Sequence, residues 1–117
     1  MLKYLAILIA ALLLHSCSKN ATEPETVKWI ELNSGFTGHP MANTLAINGN
    51  NIFVGTKKGV ILSMDNGQSW TNKSVGLPDA YVECITFIGN TIFIGTDGYG
   101  VFRSIDNGNS WTAQNNG

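Results

Sequence analysis

The chain has 117 residues, with seven basic and eight acidic side chains and a net charge of −1. That length holds one small domain. The charges are scattered and nearly balanced, with no basic stripe interleaved with aromatics, which excludes the usual footprint of a nucleic-acid binder.

The first element is an apolar one. The chain opens "MLKYLAILIAALLLHSC", with a cation at Lys3, an apolar run from Leu5 to Leu14, and then His15-Ser16-Cys17. One basic residue followed by about ten apolar ones is the pattern of a secretory signal, whereas a membrane span needs about 20. Leu14 and Ser16 ahead of Cys17 resemble the bacterial lipobox, from which His15 departs. The resemblance implies an apolar signal helix over 1–16, cleavage before Cys17, and a lipid on that cysteine. The protein is then expected to be exported and lipid-anchored in the cell envelope, at the outer membrane. A buried apolar helix ending by chance in cysteine is the competing reading; the polar stretch that follows gives it nothing to pack on.

Residues 17–26 read as the lipidated cysteine and a tether. "SKNATEPET" (Ser18–Thr26) is polar, contains Pro24 and has no periodicity; its nine residues reach about 30 Å at most. Removal of 1–16 leaves 101 residues with six basic and eight acidic side chains. Cys84 is then the one thiol besides Cys17, so no intramolecular disulfide is expected once Cys17 is acylated. Lying in the strand-like "YVECITF", Cys84 is expected to be a small buried hydrophobe.

From here the chain repeats. "LAINGNNIFVGTKKGVILSMDNGQSWT" (Leu45–Thr71) aligns with "ITFIGNTIFIGTDGYGVFRSIDNGNSWT" (Ile85–Thr112), with one extra residue near Tyr99. A period of about 40 residues, built of short β-type runs between Gly and Asn turns, points to the four-stranded blades of a propeller. "TLAIN" and "CITFI" give strand A, "NIFVGT" and "TIFIGT" strand B, "GVILS" and "GVFRS" strand C, and "SWTNK" and "SWTAQ" strand D. The Gly-Asn pairs at 49–50 and 89–90 suit tight hairpins, because both residue types tolerate positive φ. Strand B is apolar at consecutive positions, as for a strand covered on both faces. "VKWIELNSGF" (Val27–Phe36) aligns Trp29 with Trp70 and Gly35 with Gly76, and so reads as a lone D strand. The expected organisation is a lone outer strand at 27–36, one blade at 37–76 and a second at 77–117. The fold class is all-β, a propeller-type repeat of two four-stranded antiparallel blades and one extra strand.

The two copies share S-x-D-x-G-x-x-W: Ser63, Asp65, Gly67 and Trp70, then Ser104, Asp106, Gly108 and Trp111. This motif resembles the Asp-box, or BNR repeat, of sialidase-like and sortilin-like propellers, and the resemblance covers most of the chain after the tether. In it the aspartate caps backbone N–H groups in the turn between strands C and D, and glycine takes a conformation a side chain would forbid. The tryptophan pins the hairpin with a large flat surface whose N–H still finds an acceptor.

The resemblance does not extend to sialidase chemistry. Those sites clamp the substrate carboxylate with three arginines and use a tyrosine–glutamate pair, and this chain has one arginine, Arg103. His39 is the sole histidine after the signal, so a multi-histidine zinc site is not available. Ser63 and Ser104 lack the base a triad needs. "GTDGYG" (Gly95–Gly100) joins two strands rather than opening a helix, unlike a phosphate loop. A calcium loop starting at Asp65 or Asp106 would want a glutamate eleven residues on, where Gly76 and Gly117 stand. No catalytic residue, metal or cofactor is expected.

In a four-stranded blade the A–B and C–D turns share one rim, and the B–C and D–A loops the other. The first rim is nearly identical in the two copies and reads as scaffold. The second differs, "KK" against "DGY" and "GFTGHPMAN" against "GLPDAYVE", and loops on a rigid frame commonly carry binding. Phe36, His39, Lys57, Lys58, Tyr81, Asp97 and Tyr99 are the candidate ligand contacts, with ordinary loop drift an equal alternative. The expected role is binding or scaffolding, toward a glycan or a protein. A fragment of a glycan-processing propeller enzyme, or of an envelope sensor, remains the alternative. Propellers close with about four to eight blades, so two blades imply either self-association or a missing remainder.

Overall fold

The computed structural model describes residues 30–35 and 41–117. The signal-like segment, Cys17, the tether, Trp29, Phe36 and His39 lie outside the described residues. The unit that carries the sheets runs from Glu31 to Gly117.

The fold is all-β, with two repeated four-stranded antiparallel sheets. The first is ordered β1(Ala42–Asn48), β2(Asn51–Thr56), β3(Gly59–Ser63), β4(Thr71–Asn72). The second is β5(Val82–Ile88), β6(Thr91–Thr96), β7(Gly100–Ser104), β8(Thr112–Ala113). Each is a meander in which every strand pairs with the next in sequence, so a short turn suffices at every step. Gly49 and Gly89 take φ of +61° and +58° in the two A–B turns, the conformation such hairpins require. Both copies carry a bulge in the first strand, between Ala42 and Thr44 and between Val82 and Cys84.

Strand D ends sooner than its apolar letters suggest, after two residues in each copy. One backbone bond continues past it in each copy, Lys73 N–H to the Val60 carbonyl and Gln114 N–H to the Val101 carbonyl, both at 2.8 Å, and a side chain supplies the rest. Ser74 Oγ accepts the Val60 N–H at 3.0 Å and donates to the Val60 carbonyl at 3.2 Å. In the second copy Asn115 Oδ1 accepts the Val101 N–H at 2.8 Å. The segment expected as a lone strand is described from Ile30 to Gly35 and has no strand there, only a turn at Ser34–Gly35.

The core lies between the sheets. Phe53, Val60 and Leu62 of the first meet Val82, Ile92, Ile94, Phe102 and Trp111 of the second, with Leu77, Ile85 and Phe87 packed against them. The Phe53 and Phe87 rings meet edge-on, with centroids 5.5 Å apart, a favoured aromatic geometry. Register assigns the faces. Thr44, Gly55 and Val60 line up across the first sheet, as do Ala46, Phe53 and Leu62, and this face turns toward the second sheet. In the second sheet Ile85, Ile94 and Phe102 line up, and these turn toward the first.

Cys84 corrects its sequence reading: it is exposed. The strand alternates, so that Ile85 and Phe87 are part-buried while Cys84, Thr86 and Ile88 point to the opposite, uncovered face. Which face of such a strand is covered depends on where the neighbouring sheet lies, and the letters alone do not say.

Candidate functional site

The two S-x-D-x-G-x-x-W turns have the same internal geometry. Ser63 Oγ donates to Asp65 Oδ1 at 2.8 Å and accepts the Gly67 N–H at 2.7 Å. Asp65 Oδ1 also accepts the Ser69 N–H at 2.8 Å, and its Oδ2 accepts the Ser69 hydroxyl. Ser104, Asp106, Gly108 and Ser110 repeat every one of these bonds. The residue between Asp and Gly must turn left-handed, with φ of +58° at both Asn66 and Asn107, a conformation asparagine tolerates better than most residues.

These bonds fix the carboxylates in their charged form. The Ser110 hydroxyl, then Ser104 and the Ser110 N–H, hold Asp106 at about 2, below the ordinary value of 3.8. Asp65 is lowered for the same reason, led by the Ser69 hydroxyl. A carboxyl whose folded value is depressed stabilises the fold above its unfolded value, and that contribution disappears as pH falls through the folded value. Thermal melts should therefore lose several degrees between pH 5 and pH 2. Asp106→Asn should start lower and lose less over the same window. An acid profile in the variant as steep as in the wild type would show that these carboxylates do not set the acid limit.

Each tryptophan reaches beyond its own hairpin. Trp111 Nε1 donates to the Lys73 carbonyl at 2.7 Å and Trp70 Nε1 to the Leu32 carbonyl at 2.8 Å, both spanning 38 residues. The Trp111 N–H donates to the Val75 carbonyl at 3.0 Å. Gly76 lies so close over Trp111 that a Cβ there would sit 2.5 Å from its backbone oxygen; Gly35 is placed alike over Trp70. Each copy is thus stitched to the segment that precedes it.

On the loop rim, Lys57 Nζ stands over the Tyr81 ring, 5.2 Å from its centroid, a cation–π geometry. The Asp97 N–H donates to the Tyr81 carbonyl at 2.9 Å. The structure therefore brings Lys57, Tyr81 and Asp97 together across the two copies. Lys58 is exposed, with its N–H on Thr56 Oγ1 at 3.0 Å. Tyr99 is half-exposed, and its carbonyl accepts from Asn115 Nδ2 at 3.0 Å.

The opposite rim holds a cleft of about 420 Å³. Asn48 and Asn51, the strand ends that flank the first A–B turn, Asn90 of the second, and Asp106 and Asn107 of the second C–D turn line it, with Ile92 and Ile105. The sequence places Asn48 and Asn51 at strand ends and Asn90 and Asn107 in turns, with no binding role for any of them. Their clustering was legible as a density of Asn in four turns, but not that turns of both copies would converge. Carboxamides both donate and accept, which suits a ligand rich in hydroxyl or amide groups, and both oxygens of Asp106 are already engaged by serine.

Among the described residues, no group of three or more His, Cys, Asp or Glu is placed to hold a metal ion, and no helix is long and apolar enough to cross a membrane. No protein-family model matches the chain, and no curated protein matches it.

Proposed function

We propose that the chain is a non-catalytic lipoprotein of the cell envelope, whose two sheets are Asp-box propeller blades serving a binding or scaffolding role. The observation that carries this reading is the twice-repeated Ser–Asp–Gly–Trp turn. Its hydroxyls and carboxylates are committed to one another and to the turn's own backbone N–H groups, and its indoles to the preceding segment. Groups so occupied build a frame rather than attack a substrate. What the frame leaves available is amides and loops: the asparagine cleft on one rim, and Lys57, Tyr81 and Asp97 on the other. Both suit recognition by hydrogen bonding and stacking of a glycan or a protein surface.

The reading is tested by incubating the full chain with sialylated oligosaccharides and with their desialylated counterparts. Retention on one of these glycans, weakened by Asn90→Ala and without release of free sugar, is the expected result. Release of sialic acid would overturn it in favour of an enzyme. The anchor is tested separately. Metabolic labelling with a fatty-acid analogue should mark the wild type and spare Cys17→Ala, and equal labelling of both would end the lipoprotein reading.

A further inference from the structure

The chain contains four Asn-Gly steps, at 48–49, 66–67, 107–108 and 116–117. Such a step can react with itself, because the glycine nitrogen, with no Cβ beside it, can attack the asparagine carboxamide carbon. The structure separates the steps by what holds that nitrogen. In the two Ser–Asp–Gly–Trp turns it is committed: the Gly67 N–H donates to Ser63 Oγ at 2.7 Å and the Gly108 N–H to Ser104 Oγ at 2.8 Å. Both glycines are buried, and Asn66 and Asn107 are set left-handed at φ +58°. Rotating either peptide toward its side chain would break the serine–aspartate bonds of the whole turn. At Asn48-Gly49 that restraint is missing. Among the described residues none accepts the Gly49 N–H, both residues are exposed, and a Cβ placed on Gly49 would meet nothing within 4 Å. Asn48 is held by the last rung of the β1–β2 ladder, its pairing with Asn51, and terminal rungs open at the least free energy. The second copy has Ile88 where the first has Asn48, so its A–B turn lacks the reaction altogether.

We infer that Asn48 is a self-modification site, converting in the folded protein to aspartate and isoaspartate through a cyclic imide, while Asn66 and Asn107 stay intact. Gly49 N forms a bond to Asn48 Cγ, the Cγ–Nδ2 bond breaks, and the amide leaves as ammonia with the proton from Gly49. Water then opens the five-membered ring. Hydrolysis at the side-chain carbonyl gives aspartate, and hydrolysis at the main-chain carbonyl gives isoaspartate, with the chain running through Cγ. No oxidant, reductant or enzyme takes part. Two consequences belong to this position. Isoaspartate lengthens the main chain by a methylene at the rung that closes the β1–β2 hairpin, and either product adds a carboxylate to the asparagine cleft. Among the described residues that line the cleft, Asp106 alone carries a charge, so the conversion doubles its negative charge. The inference rests on the geometry of the turns and not on the ligand or the anchor.

The experiment incubates the full chain, in a mild detergent and warm, mildly alkaline buffer made with heavy-oxygen water, and follows each step by peptide mass spectrometry. Asn48 should gain label over days, as should Asn116, which lies beyond the last strand. An isoaspartyl methyltransferase assay should find isoaspartate in the Asn48 peptide. Asn66 and Asn107 should convert at least about tenfold more slowly, because their opening must break several hydrogen bonds together. In urea the four rates should converge. Ser63→Ala frees the Gly67 N–H and should speed Asn66 several-fold, while Asn107 in the same molecule keeps its slow rate. If Ser63→Ala does not fold, Asn107 will accelerate with Asn66, and the ranking in the wild type decides. Conversion of Asn48 as slow as that of Asn66 and Asn107 in the folded wild type would overturn the inference. So would rates that stay far apart in urea, or an Asn66 rate that Ser63→Ala leaves unchanged.

Discussion

Trp111→Ala should lose most of the stability of the two-sheet unit. The side chain is 5% exposed and belongs to the core, and truncating a buried tryptophan costs about 3–5 kcal/mol. Small domains have about 5–15 kcal/mol in total, so the urea transition should move far toward zero denaturant. Trp111→Phe separates the two roles of the residue. It keeps most of the apolar contact and removes the N–H that reaches the Lys73 carbonyl, at about 1 kcal/mol. Trp70→Ala should cost less than Trp111→Ala, because Trp70 is only part-buried. Equal midpoints for Trp111→Ala and the wild type would show that the two sheets hold together without the stitch.

Gly76→Ala should be nearly as damaging, though it adds one carbon. Gly76 has φ +89°, where alanine is strained, and its Cβ would lie 2.5 Å from the Trp111 oxygen and 3.3 Å from the Trp111 nitrogen. The left-handed conformation alone costs about 1–2 kcal/mol. The overlap is with main chain, which cannot swing aside as a side chain could, so relief must come from separating the two segments. The loss should therefore exceed roughly 2 kcal/mol, with the Trp111 indole partly released to solvent. Gly89→Ala is the comparison: φ is +58° and nothing lies within 4 Å of its Cβ, leaving only the conformational cost. Paired urea titrations decide it, and losses of the same size in the two variants would mean that Gly76 is not wedged against the tryptophan.

Much of this architecture was written locally. Gly-Asn at 49–50 and at 89–90 places a hairpin between two β-branched runs, and four strands joined by short turns can hardly pair other than in sequence order. The eight strands follow from such signals. What the letters could not say depends on distant neighbours. "SWTNK" looks like a full strand, yet it stops at Asn72: the Lys73 N–H still reaches the Val60 carbonyl, but the Val60 N–H goes to the Ser74 hydroxyl and the Lys73 carbonyl to the Trp111 indole. Cys84 lies in a largely apolar run, yet it is exposed, on the face of the second sheet turned away from the first. The indole of Trp111 was expected to find an acceptor, but that the acceptor is Lys73 emerges only when two copies stand side by side. The cleft is of the same kind. Asn48 and Asn51 read as strand ends and Asn90 and Asn107 as turn residues, and only their convergence makes a lined concavity.

The stitch at Trp70–Leu32 and Trp111–Lys73 also determines how such a chain can change in length. Every copy brings one donor that looks backward and one carbonyl that will be looked for by whatever comes next. Gaining or losing a whole copy therefore keeps each indole opposite the carbonyl 38 residues before it. Gaining part of a copy does not, because the indole then arrives opposite the wrong carbonyl and the glycine opposite a side chain. The heritable unit is accordingly the 41-residue interval between successive tryptophans, not the sheet, and its boundary runs through a joint between sheets. Duplication in that frame requires no new chemistry, since both halves of the new joint are already encoded.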